Sequence, residues 1–242
     1  MVKQAVILAA GLGTRLLPIT KVIPKPMLPI GTKPIIDYVV EELTESGIDH
    51  IIIVVGHKKE IIEEYYKDNS NIQFVVQENI NGTAPALYLA KKALKEGPFG
   101  ICYADDIFES KVPVMKQLIE HFEQMDASIV TGIEEAGQEE LKIYNCLSLE
   151  KWNAAVFKLY EFIEKPIDHF ESSYTSTGRF VATHEIFSAI EALQQHGGEI
   201  YLTEAINTVM KKGKAYGIAY QGKRWDTGTK ENWMKTNNAL GR

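Results

Sequence analysis

The stretch AVILAAGLGTRLLPITKVIPKPMLP, residues 5–29, joins an apolar run to a loop that is rich in glycine, proline and positive charge. The run AVILAA is typical of a strand that is buried on both faces, as the strands of parallel sheets are. In an open parallel sheet, ligands bind beyond the carboxyl ends of the strands, so this loop is the first place to look for a site. Gly11 and Gly13 permit a tight turn and let backbone N–H groups approach a phosphate.

The same loop concentrates cations on a stiff backbone. Arg15, Lys21 and Lys25 supply the positive charge. The chain that carries them is restricted by four prolines, Pro18, Pro24, Pro26 and Pro29. A stiff loop loses less conformational entropy when a polyanion binds. The loop therefore indicates a triphosphate site, although Lys21 is equally well explained as a solvated surface lysine.

Two other types of phosphate loop do not fit this stretch. A dinucleotide fingerprint requires a glycine at position 16, which is Leu16, and an acidic residue after the second strand, where the chain has Gly56 and His57. A P-loop requires Gly-Lys followed by Ser or Thr, which the stretch lacks. An NAD-dependent dehydrogenase is therefore a remote alternative.

Apolar runs alternate with amphipathic patterns through the first half of the chain. The further runs lie at 50–56, 72–77, 99–105 and 127–133, and the helical patterns at 34–47, 58–68, 83–97 and 112–125. This alternation predicts an α/β fold with a mostly parallel central sheet and helices on both faces. After residue 134 the rhythm changes, and residues 144–166 are typical of antiparallel strands. We expect one domain, 1–242, in which residues 135–242 form a smaller β-rich lobe and a C-terminal helix.

The composition limits the range of partners. The 242 residues carry 26 Lys and Arg against 32 Asp and Glu, a formal charge of −6, so we do not expect nucleic-acid binding. Cys102 and Cys146 lie in apolar contexts and are expected to be buried, reduced thiols. No secretory hydrophobic region is recognisable, and no apolar stretch reaches the ~18–20 residues that span a bilayer. We expect a cytoplasmic protein without a membrane partner.

The opening loop resembles the signature of the sugar-phosphate nucleotidyltransferases, G-x-G-T-R-(L/M)-x-P-x-T-x-x-x-P-K-x-(M/L)-(L/V)-P. With KPIIDYVVEEL it is most similar to the bacterial UTP–glucose-1-phosphate uridylyltransferases. The match continues in order through QENINGTA, ADDIF, FIEKP, GRFV, GGEIYLTEAI and GKRWDTG. The resemblance implies a Rossmann-like nucleotidyltransferase fold, with nucleotide binding in residues 1–134 and sugar binding in residues 135–242. It also implies transfer from UTP to a sugar-1-phosphate, by default glucose-1-phosphate, with release of pyrophosphate.

The roles of the loop residues follow from the resemblance. The nucleophile is a phosphate oxygen that is already anionic at neutral pH, so catalysis depends on positioning and charge neutralisation. Gly11 and Gly13 are expected to approach the nucleotide through their backbone. Arg15 is expected to contact the triphosphate oxygens that depart as pyrophosphate, and Lys25 to stabilise charge at the α-phosphate.

Two aspartates are candidate ligands of Mg²⁺, which prefers a few carboxylates together with phosphate oxygens and water. Asp105 ends the run FGICYAD, where its side chain would point into the same cleft as the loop. Asp226 lies in WDTG, and the resemblance pairs it with Asp105 as a ligand of a metal that bridges both substrates. Asp106 is as consistent with a helix cap or a solvated side chain as with a catalytic group.

The base and sugar subsites are also assigned by resemblance. Gln77 and Gly82 are expected at the base, since an amide can both donate to and accept from a pyrimidine edge. Glu164 is expected to accept hydrogen bonds from sugar hydroxyls, Lys165 to bind the sugar phosphate, and Gly178 to line the sugar pocket. Taken alone, the string EKP is typical of a turn with an exposed ion pair.

One departure from the family pattern leaves the sugar open. The family usually has Tyr-Gly where this chain has Tyr144-Asn145, and an Asn side chain there would crowd glucose or hydrogen-bond to a different sugar. Transfer from dTTP or CTP is an alternative, and because uracil and thymine share a hydrogen-bonding edge, the base motif barely separates UTP from dTTP. A non-catalytic sugar-nucleotide-binding module is a further alternative, and a homo-oligomer is left open because the chain is shorter than typical members.

Overall fold

The first strand lies in the middle of the molecule and is covered on both faces. The computed structural model describes residues 1–194 and 200–241. The described strands are β1 (Gln4–Leu8), β2 (Pro29–Ile30), β3 (Lys33–Pro34), β4 (His50–Val55), β5 (Ile72–Val76), β6 (Phe99–Tyr103), β7 (Asp106–Glu109), β8 (Ile129–Glu135), β9 (Asn145–Lys151), β10 (Val156–Glu164), β11 (Tyr174–Ala182), β12 (Ala215–Ala219) and β13 (Lys223–Asp226). The described α-helices are α1 (Ile35–Glu45), α2 (Lys59–Tyr65), α3 (Thr83–Leu89), α4 (Val114–Gln124), α5 (Gln138–Ile143), α6 (Glu185–Gln194), α7 (Leu202–Met210) and α8 (Lys230–Leu240).

Nine strands form one large sheet in the order β5-β4-β1-β6-β11-β8-β12-β10-β9. The first-half strands pair in parallel, β1 with β4 and β6, and β4 with β5. Strand β11 inserts antiparallel between β6 and β8, and the β9–β10 hairpin forms the far edge. The strands of the second half therefore extend the sheet of the first half.

The two faces of the sheet bury separate hydrophobic cores because residues along a strand alternate between faces. On β1, Val6 packs into the core covered by α3, α6 and α7. Its neighbours Ala5 and Ile7 pack into the other core, beneath α1, α2 and α4. Helices on both faces leave the carboxyl ends of the strands as the open side of the molecule.

A small sheet crosses this open side. Strands β7 and β13 pair antiparallel, and the register places Asp226 opposite Asp106. Helix α8 follows and is tied to the opening loop, since Trp233 Nε1 and Asn237 Nδ2 both donate to the carbonyl oxygen of Pro29, at 3.0 and 3.2 Å. The C-terminal part of the chain is thereby fixed beside the first loop.

The predicted α/β fold with a large, mostly parallel sheet and helices is confirmed. The helix predicted over 83–97 is shorter, because α3 ends at Leu89 and a 3-10 turn follows over Ala90–Lys92. The pair β7–β13 was not predicted, since four-residue strands that pair across more than one hundred residues have no local signal. Cys102 and Cys146 are buried, free thiols as expected, and no helix in the described part of the chain has the length and apolarity to cross a membrane.

Candidate active site

A cleft of about 580 Å³ opens at the carboxyl ends of β1 and β6. Seven of the predicted site residues line it: Gly11, Gly13, Arg15, Lys25, Gln77, Gly82 and Asp105. Of the other four predicted site residues, Gly178 lies against Tyr103 of this lining and Asp226 accepts from the Gly228 N–H, while Glu164 and Lys165 lie outside the lining. The loop that follows the first strand therefore forms a concave site at the edge of the sheet where such sites are expected.

The two glycines of the loop have different structural roles. Gly13 has φ +63° and a Cβ there would lie 2.9 Å from Cγ2 of Thr20, so only glycine fits this turn. The hydroxyl of Thr20 in turn donates to the carbonyl oxygen of Gly13 at 2.9 Å. A Cβ at Gly11 would meet no atom within 4 Å, so that glycine leaves space in the cleft itself.

Lys25 and Asp105 form an ion pair across the cleft, in which Lys25 Nζ donates to Asp105 Oδ2. Burial raises the pKa of the Asp105 carboxyl, but Lys25 together with Arg224 and Arg15 outweighs burial and holds that pKa below its ordinary value. Asp105 is therefore an anion at neutral pH, surrounded by three cations. A phosphate that enters the cleft therefore competes with the Asp105 carboxylate for the ammonium group of Lys25.

The amide of Gln77 is fixed by the loop that carries Gly82. Its Nε2 donates to Asn81 Oδ1 at 3.3 Å and to the carbonyl oxygen of Gly82 at 3.2 Å. Gln77 is only 3% exposed, yet it lines the cleft. With Nε2 engaged in the loop, Oε1 is the remaining polar atom that this side chain offers to a ligand.

Asp226 ends β13 and accepts three hydrogen bonds from neutral groups. Its Oδ1 accepts from the Gly228 N–H at 2.7 Å, and its Oδ2 accepts from the Tyr144 hydroxyl at 2.6 Å and from Asn232 Nδ2 at 2.8 Å. Asp226 and Tyr144 line a second, polar cavity of about 390 Å³. These donors orient the carboxylate and leave its negative charge in place.

The segments that carry the two predicted metal ligands are joined through their backbones. Thr227, the residue after Asp226, donates its N–H at 3.1 Å and its hydroxyl at 2.7 Å to the carbonyl oxygen of Asp105. Gly228 lies beside Arg15 and lines the cleft. The strand that ends at Asp226 is therefore held against the end of β6.

Asp106 is neither a helix cap nor a solvated residue. It begins β7, is 2% exposed, and accepts a hydrogen bond from Arg224 Nε at 2.7 Å. Burial, together with the nearby charges of Asp105 and Asp226 and against the opposing effect of Arg224, raises the pKa of Asp106 to about 7. Arg224 also donates to Glu134 Oε1 at 3.1 Å, so it compensates two carboxylates beneath the site.

A buried ion pair supports the chain at Asp105 and Asp106. Arg179 is fully buried and donates through Nε and Nη2 to Glu42 Oε2, at 3.0 and 2.8 Å. It also donates to the carbonyl oxygens of Tyr103 and Asp106, at 3.1 and 2.8 Å. The backbone on both sides of Asp105 is thus anchored to a guanidinium.

Glu164 ends the hairpin strand β10, and Lys165 follows it. Glu164 Oε2 accepts from the Thr203 hydroxyl at 3.1 Å, and desolvation by burial raises the pKa of the Glu164 carboxyl, although Thr203 and Lys165 oppose the rise. Lys165 has φ +44°, a left-handed conformation that is unfavourable for a lysine. Backbone strain of this kind persists where the surroundings fix the residue, and here the Lys165 N–H donates to the carbonyl oxygen of Tyr144 at 3.1 Å.

Gly178 has its own steric reason to be glycine. Its φ is +63°, and a Cβ there would lie 2.6 Å from both Asp106 Oδ2 and the ring of Tyr103. Tyr103 lines the cleft, so Gly178 lets this ring lie close to β11. Gly178 was predicted to line a sugar pocket, and in the structure it lies against the ring of Tyr103, which lines the cleft.

Asn145 uses both ends of its amide within the protein. Its Nδ2 donates to Ser176 Oγ at 3.0 Å, and its Oδ1 accepts from the Ser176 N–H at 3.1 Å. The side chain is buried and joins β9 to β11. The departure from the family glycine therefore creates an internal link between strands.

Sequence reasoning gave no roles to the residues that hold the predicted ones in place. Four of these are Tyr144, Arg179, Arg224 and Thr203. Arg179, Arg224 and Thr203 lie in the strings GRFV, GKRWDTG and GGEIYLTEAI, which were the available signal, whereas Tyr144 lies in none of them. A charged or hydroxyl residue one or two positions from a predicted ligand is a candidate support for it. In the last string, Gly197, Gly198 and Glu199 lie outside the described residues.

The comparison with known families agrees with this geometry. The profile of the family described as nucleotidyl transferase matches residues 4–242. The chain belongs to this family. It is therefore a nucleotidyltransferase, and the predicted enzyme class is confirmed.

Individual relatives are similar over nearly the full length of this nucleotidyltransferase. A UTP–glucose-1-phosphate uridylyltransferase of Staphylococcus epidermidis is 35% identical over 262 residues, which are 97% of this chain and 91% of the relative. UTP–glucose-1-phosphate uridylyltransferase 2 of Staphylococcus saprophyticus is 35% identical over 263 residues, covering 97% and 90%. The crystal structure of a UDP-glucose pyrophosphorylase complexed with UDP-glucose superposes with a TM-score of 0.92 at 31% identity, covering 99% of this chain and 98% of that one.

Proposed function

We propose that this nucleotidyltransferase transfers the uridylyl group of UTP to glucose-1-phosphate, giving UDP-glucose and pyrophosphate. The observation that carries the proposal is the convergence of the glycine loop, Lys25 and Asp105 in one cleft at the carboxyl ends of β1 and β6. The residues in the cleft suit the binding of phosphate groups. The identity of the base and of the sugar is inferred from the activity named for the relatives.

The reaction is an in-line displacement at the α-phosphorus of UTP. A phosphate oxygen of glucose-1-phosphate forms the new P–O bond while the bond to the β-phosphate oxygen breaks and pyrophosphate leaves. The attacking oxygen is an anion at neutral pH, so the protein need not remove a proton from it. What the protein supplies is the approach of two polyanions in a fixed geometry.

Lys25 is assigned to the α-phosphate and Arg15 to the departing pyrophosphate. Lys25 is bonded to Asp105 before substrate arrives, so its ammonium is held at the edge of the cleft in a known place. A phosphate oxygen that reaches Lys25 replaces the carboxylate as its partner. Arg15 lies exposed on the loop and lines the cleft, where its guanidinium can contact two phosphate oxygens at once.

Asp105 and Asp226 fit the requirements of a divalent cation, which we propose to be Mg²⁺. Among the described residues, no hydrogen-bond donor contacts Oδ1 of Asp105, and Asp226 is oriented by neutral donors that do not cancel its charge. No cluster of three or more His, Cys, Asp or Glu side chains occurs in the described ranges, which suits a metal that takes its other ligands from phosphate and water. When bound, the metal supplies positive charge that neutralises phosphate oxygens.

Gln77 and Gly82 are assigned to the base. With Nε2 of Gln77 engaged by Asn81 and Gly82, the amide presents Oε1 as an acceptor. An acceptor here suits a base with an N3–H donor, which uracil and thymine carry and cytosine lacks. Cytosine can meet this acceptor only through its N4 amino group. For a contact at N3, the amide orientation therefore favours UTP or dTTP over CTP, and the relatives' named substrate favours UTP.

The sugar phosphate is assigned to Glu164 and Lys165, with Gly178 lying against the neighbouring ring of Tyr103. In this assignment residues 1–134 bind the nucleotide, residues 135–242 bind the sugar phosphate, and Asp226 is the contribution of the second part to the metal. Both parts contribute strands to one sheet, which supports the assignment of 1–242 to a single domain. The engaged amide of Asn145 favours glucose over a sugar that would need a hydrogen bond from that side chain.

The test is turnover of the purified protein with Mg²⁺, glucose-1-phosphate and each of UTP, dTTP, CTP and ATP in parallel. Pyrophosphate release and the product sugar nucleotide are both measured, so that hydrolysis of the triphosphate is not counted as transfer. We expect UTP to give the highest kcat/KM and CTP a low one. A clear preference for dTTP would overturn the uridylyl assignment, and absence of release with a full panel of sugar phosphates would favour a non-catalytic binding module.

A further inference from the structure

The segment Ile200–Thr203 lies between two parts of the proposed site and contacts both. It belongs to the string GGEIYLTEAI, to which the proposed function gives no role. On one side is the base loop, residues 81–84, and on the other is the pair Glu164–Lys165. We call Ile200–Thr203 the bridge segment.

Backbone hydrogen bonds tie the bridge segment to the base loop. The Ile200 N–H donates to the Asn81 carbonyl oxygen at 3.1 Å, and the Ile200 carbonyl oxygen accepts from the Ala84 N–H at 3.2 Å. The Leu202 N–H donates to Thr83 Oγ1 at 2.8 Å. A Cβ at Gly82 would lie 2.1 Å from the Ile200 carbonyl oxygen, so glycine at this position is required by the bridge segment itself.

The alternate residues of the bridge segment contact the sugar-phosphate pair. Lys165 Nζ lies 5.1 Å from the centroid of the Tyr201 ring, within the range of a cation–π contact. The Thr203 hydroxyl donates to Glu164 Oε2 at 3.1 Å, and Thr203 is 6% exposed. Ile200 and Leu202 thus face the base loop, while Tyr201 and Thr203 face Glu164 and Lys165.

We propose that the bridge segment sets the position of the sugar-phosphate pair relative to the base loop, with Thr203 as the positioning residue that orients Glu164. The proposal rests on the proposed function, because it takes Glu164 to be the group that accepts hydrogen bonds from the sugar. One oxygen of Glu164 is held by Thr203, and the other is directed to the substrate. Thr203 therefore acts on the sugar phosphate through Glu164 and has no direct role at the nucleotide.

The hydrogen bond from Thr203 also affects the protonation of Glu164. Desolvation raises the pKa of Glu164, Glu204 raises it further, and Thr203 and Lys165 lower it. Tyr103 faces the same carboxylate from β6, and its own pKa is raised, mainly by burial and then by Glu164 and Asp105. The ionised carboxylate accepts through both oxygens, whereas protonation turns one oxygen into a donor. Loss of the Thr203 hydroxyl removes an effect that lowers the pKa of Glu164, so the acid limb of the pH profile shifts to higher pH.

The experiment compares Thr203→Val, which keeps the shape and removes the hydroxyl, with Thr203→Ser, which keeps the hydroxyl. Thr208→Val is a matched control, because Thr208 is an exposed threonine of the same helix whose hydroxyl donates only to the Glu204 carbonyl oxygen, at 3.2 Å. KM and kcat are measured for both substrates over a range of pH, and the melting temperature of each variant is recorded.

We expect Thr203→Val to raise KM for the sugar-1-phosphate about tenfold, the order of one lost hydrogen bond to a charged group. KM for the triphosphate should stay near the wild-type value, and the acid limb of kcat/KM for the sugar-1-phosphate should move to higher pH. Thr203→Ser should restore most of both properties, and Thr208→Val should match the wild type. Unchanged KM and pH profile in Thr203→Val, or an equal loss for both substrates, would overturn the proposal.

Failure of the proposed function gives a different result. If the wild type prefers another triphosphate or another sugar-1-phosphate, the same comparison is made with the preferred pair, and the expected asymmetry between the two substrates is unchanged. If the wild type turns over no sugar phosphate, the proposed function fails before any variant is made.

Discussion

The two carboxylates proposed to hold the metal are stabilised in opposite ways. Asp105 is paired with a cation, Lys25, and its flanking backbone is anchored to the buried guanidinium of Arg179. Asp226 is held by neutral donors, among them the hydroxyl of Tyr144. A cation can exchange one anionic partner for another, whereas neutral donors fix orientation and leave the charge uncancelled. At Asp105, Lys25 can therefore exchange the carboxylate for a phosphate oxygen as its partner. At Asp226, the carboxylate keeps its negative charge throughout.

The charged support on the Asp105 side gives the largest expected effect. Glu42→Gln keeps the side-chain shape but leaves the guanidinium of Arg179 buried without a counter-charge, which should lower the free energy of unfolding by about 3–5 kcal/mol. Urea denaturation measures the loss. Glu45→Gln is the matched control, an exposed residue of the same helix, and should change stability by no more than about 0.5 kcal/mol. A loss below about 1 kcal/mol for Glu42→Gln would mean that the ion pair does not hold this side of the site.

Lys25→Ala tests the exchange of partners at Asp105. If Lys25 stabilises charge on the α-phosphate in the transition state, kcat should fall by roughly two to three orders of magnitude while KM for UTP moves far less. Pro24 and Pro26 restrict the backbone on both sides, so the loop should keep its conformation. Lys21→Ala, at an exposed position of the same loop, is the control and should have little effect. A large rise in KM with kcat preserved would make Lys25 a ground-state binding residue.

Asp226→Asn tests the constant charge on the other side. The substitution removes the negative charge, and its NH₂ group must face at least one of the donors that Asp226 now accepts from. We expect kcat to fall about a hundredfold, the scale of one lost electrostatic contact, with a higher Mg²⁺ requirement and little change in melting temperature. Asp68→Asn, an exposed substitution of the same type, is the control. Wild-type turnover in EDTA would refute the metal assignment for both carboxylates.

Much of the fold could be predicted from the sequence, and so could the part of the site formed by the loop after β1. A continuous apolar run, two glycines and cations in one loop are local signals, and the structure places Gly11, Arg15 and Lys25 in the cleft that they predict. Asp105 could be placed at the same edge because it directly follows a strand-like run.

The part of the site around Asp226 could not be predicted from local sequence signals. The place of Asp226 depends on β13 pairing with β7, and the same pairing buries Asp106, which excludes the helix cap and the solvated side chain that the sequence had left open for it. Such contacts join residues more than one hundred positions apart through four-residue strands, where neither periodicity nor turn chemistry gives a signal. The family resemblance was the source for Asp226, and nothing in the sequence pointed to Tyr144 as its partner.

The smallest expected effect, Tyr144→Phe, compares the two sides directly. The Tyr144 hydroxyl donates to Asp226 at 2.6 Å, and burial followed by Asp226 raises the pKa of Tyr144, so the hydroxyl stays a protonated donor at any working pH. Phenylalanine keeps the ring beneath Arg224, whose guanidinium carbon lies 4.7 Å from its centroid, and removes only the hydrogen bond. Loss of a partner that orients a metal-binding carboxylate weakens metal affinity by about tenfold or more, so kcat/KM should fall about tenfold at low Mg²⁺.

Raising Mg²⁺ should restore Tyr144→Phe but not Lys25→Ala, because only the first variant leaves the transition-state cation in place. Tyr160→Phe is the matched control, since it removes an equivalent tyrosine–carboxylate hydrogen bond, to Glu150 at 2.6 Å, on the exposed surface. Mg²⁺ titration of initial rates for the wild type and the three variants decides the matter. If Tyr144→Phe follows the wild type at every Mg²⁺ concentration, the hydroxyl does not tune Asp226, and the contrast between a charged and a neutral support would then rest on Asn232 and the backbone of Gly228 alone.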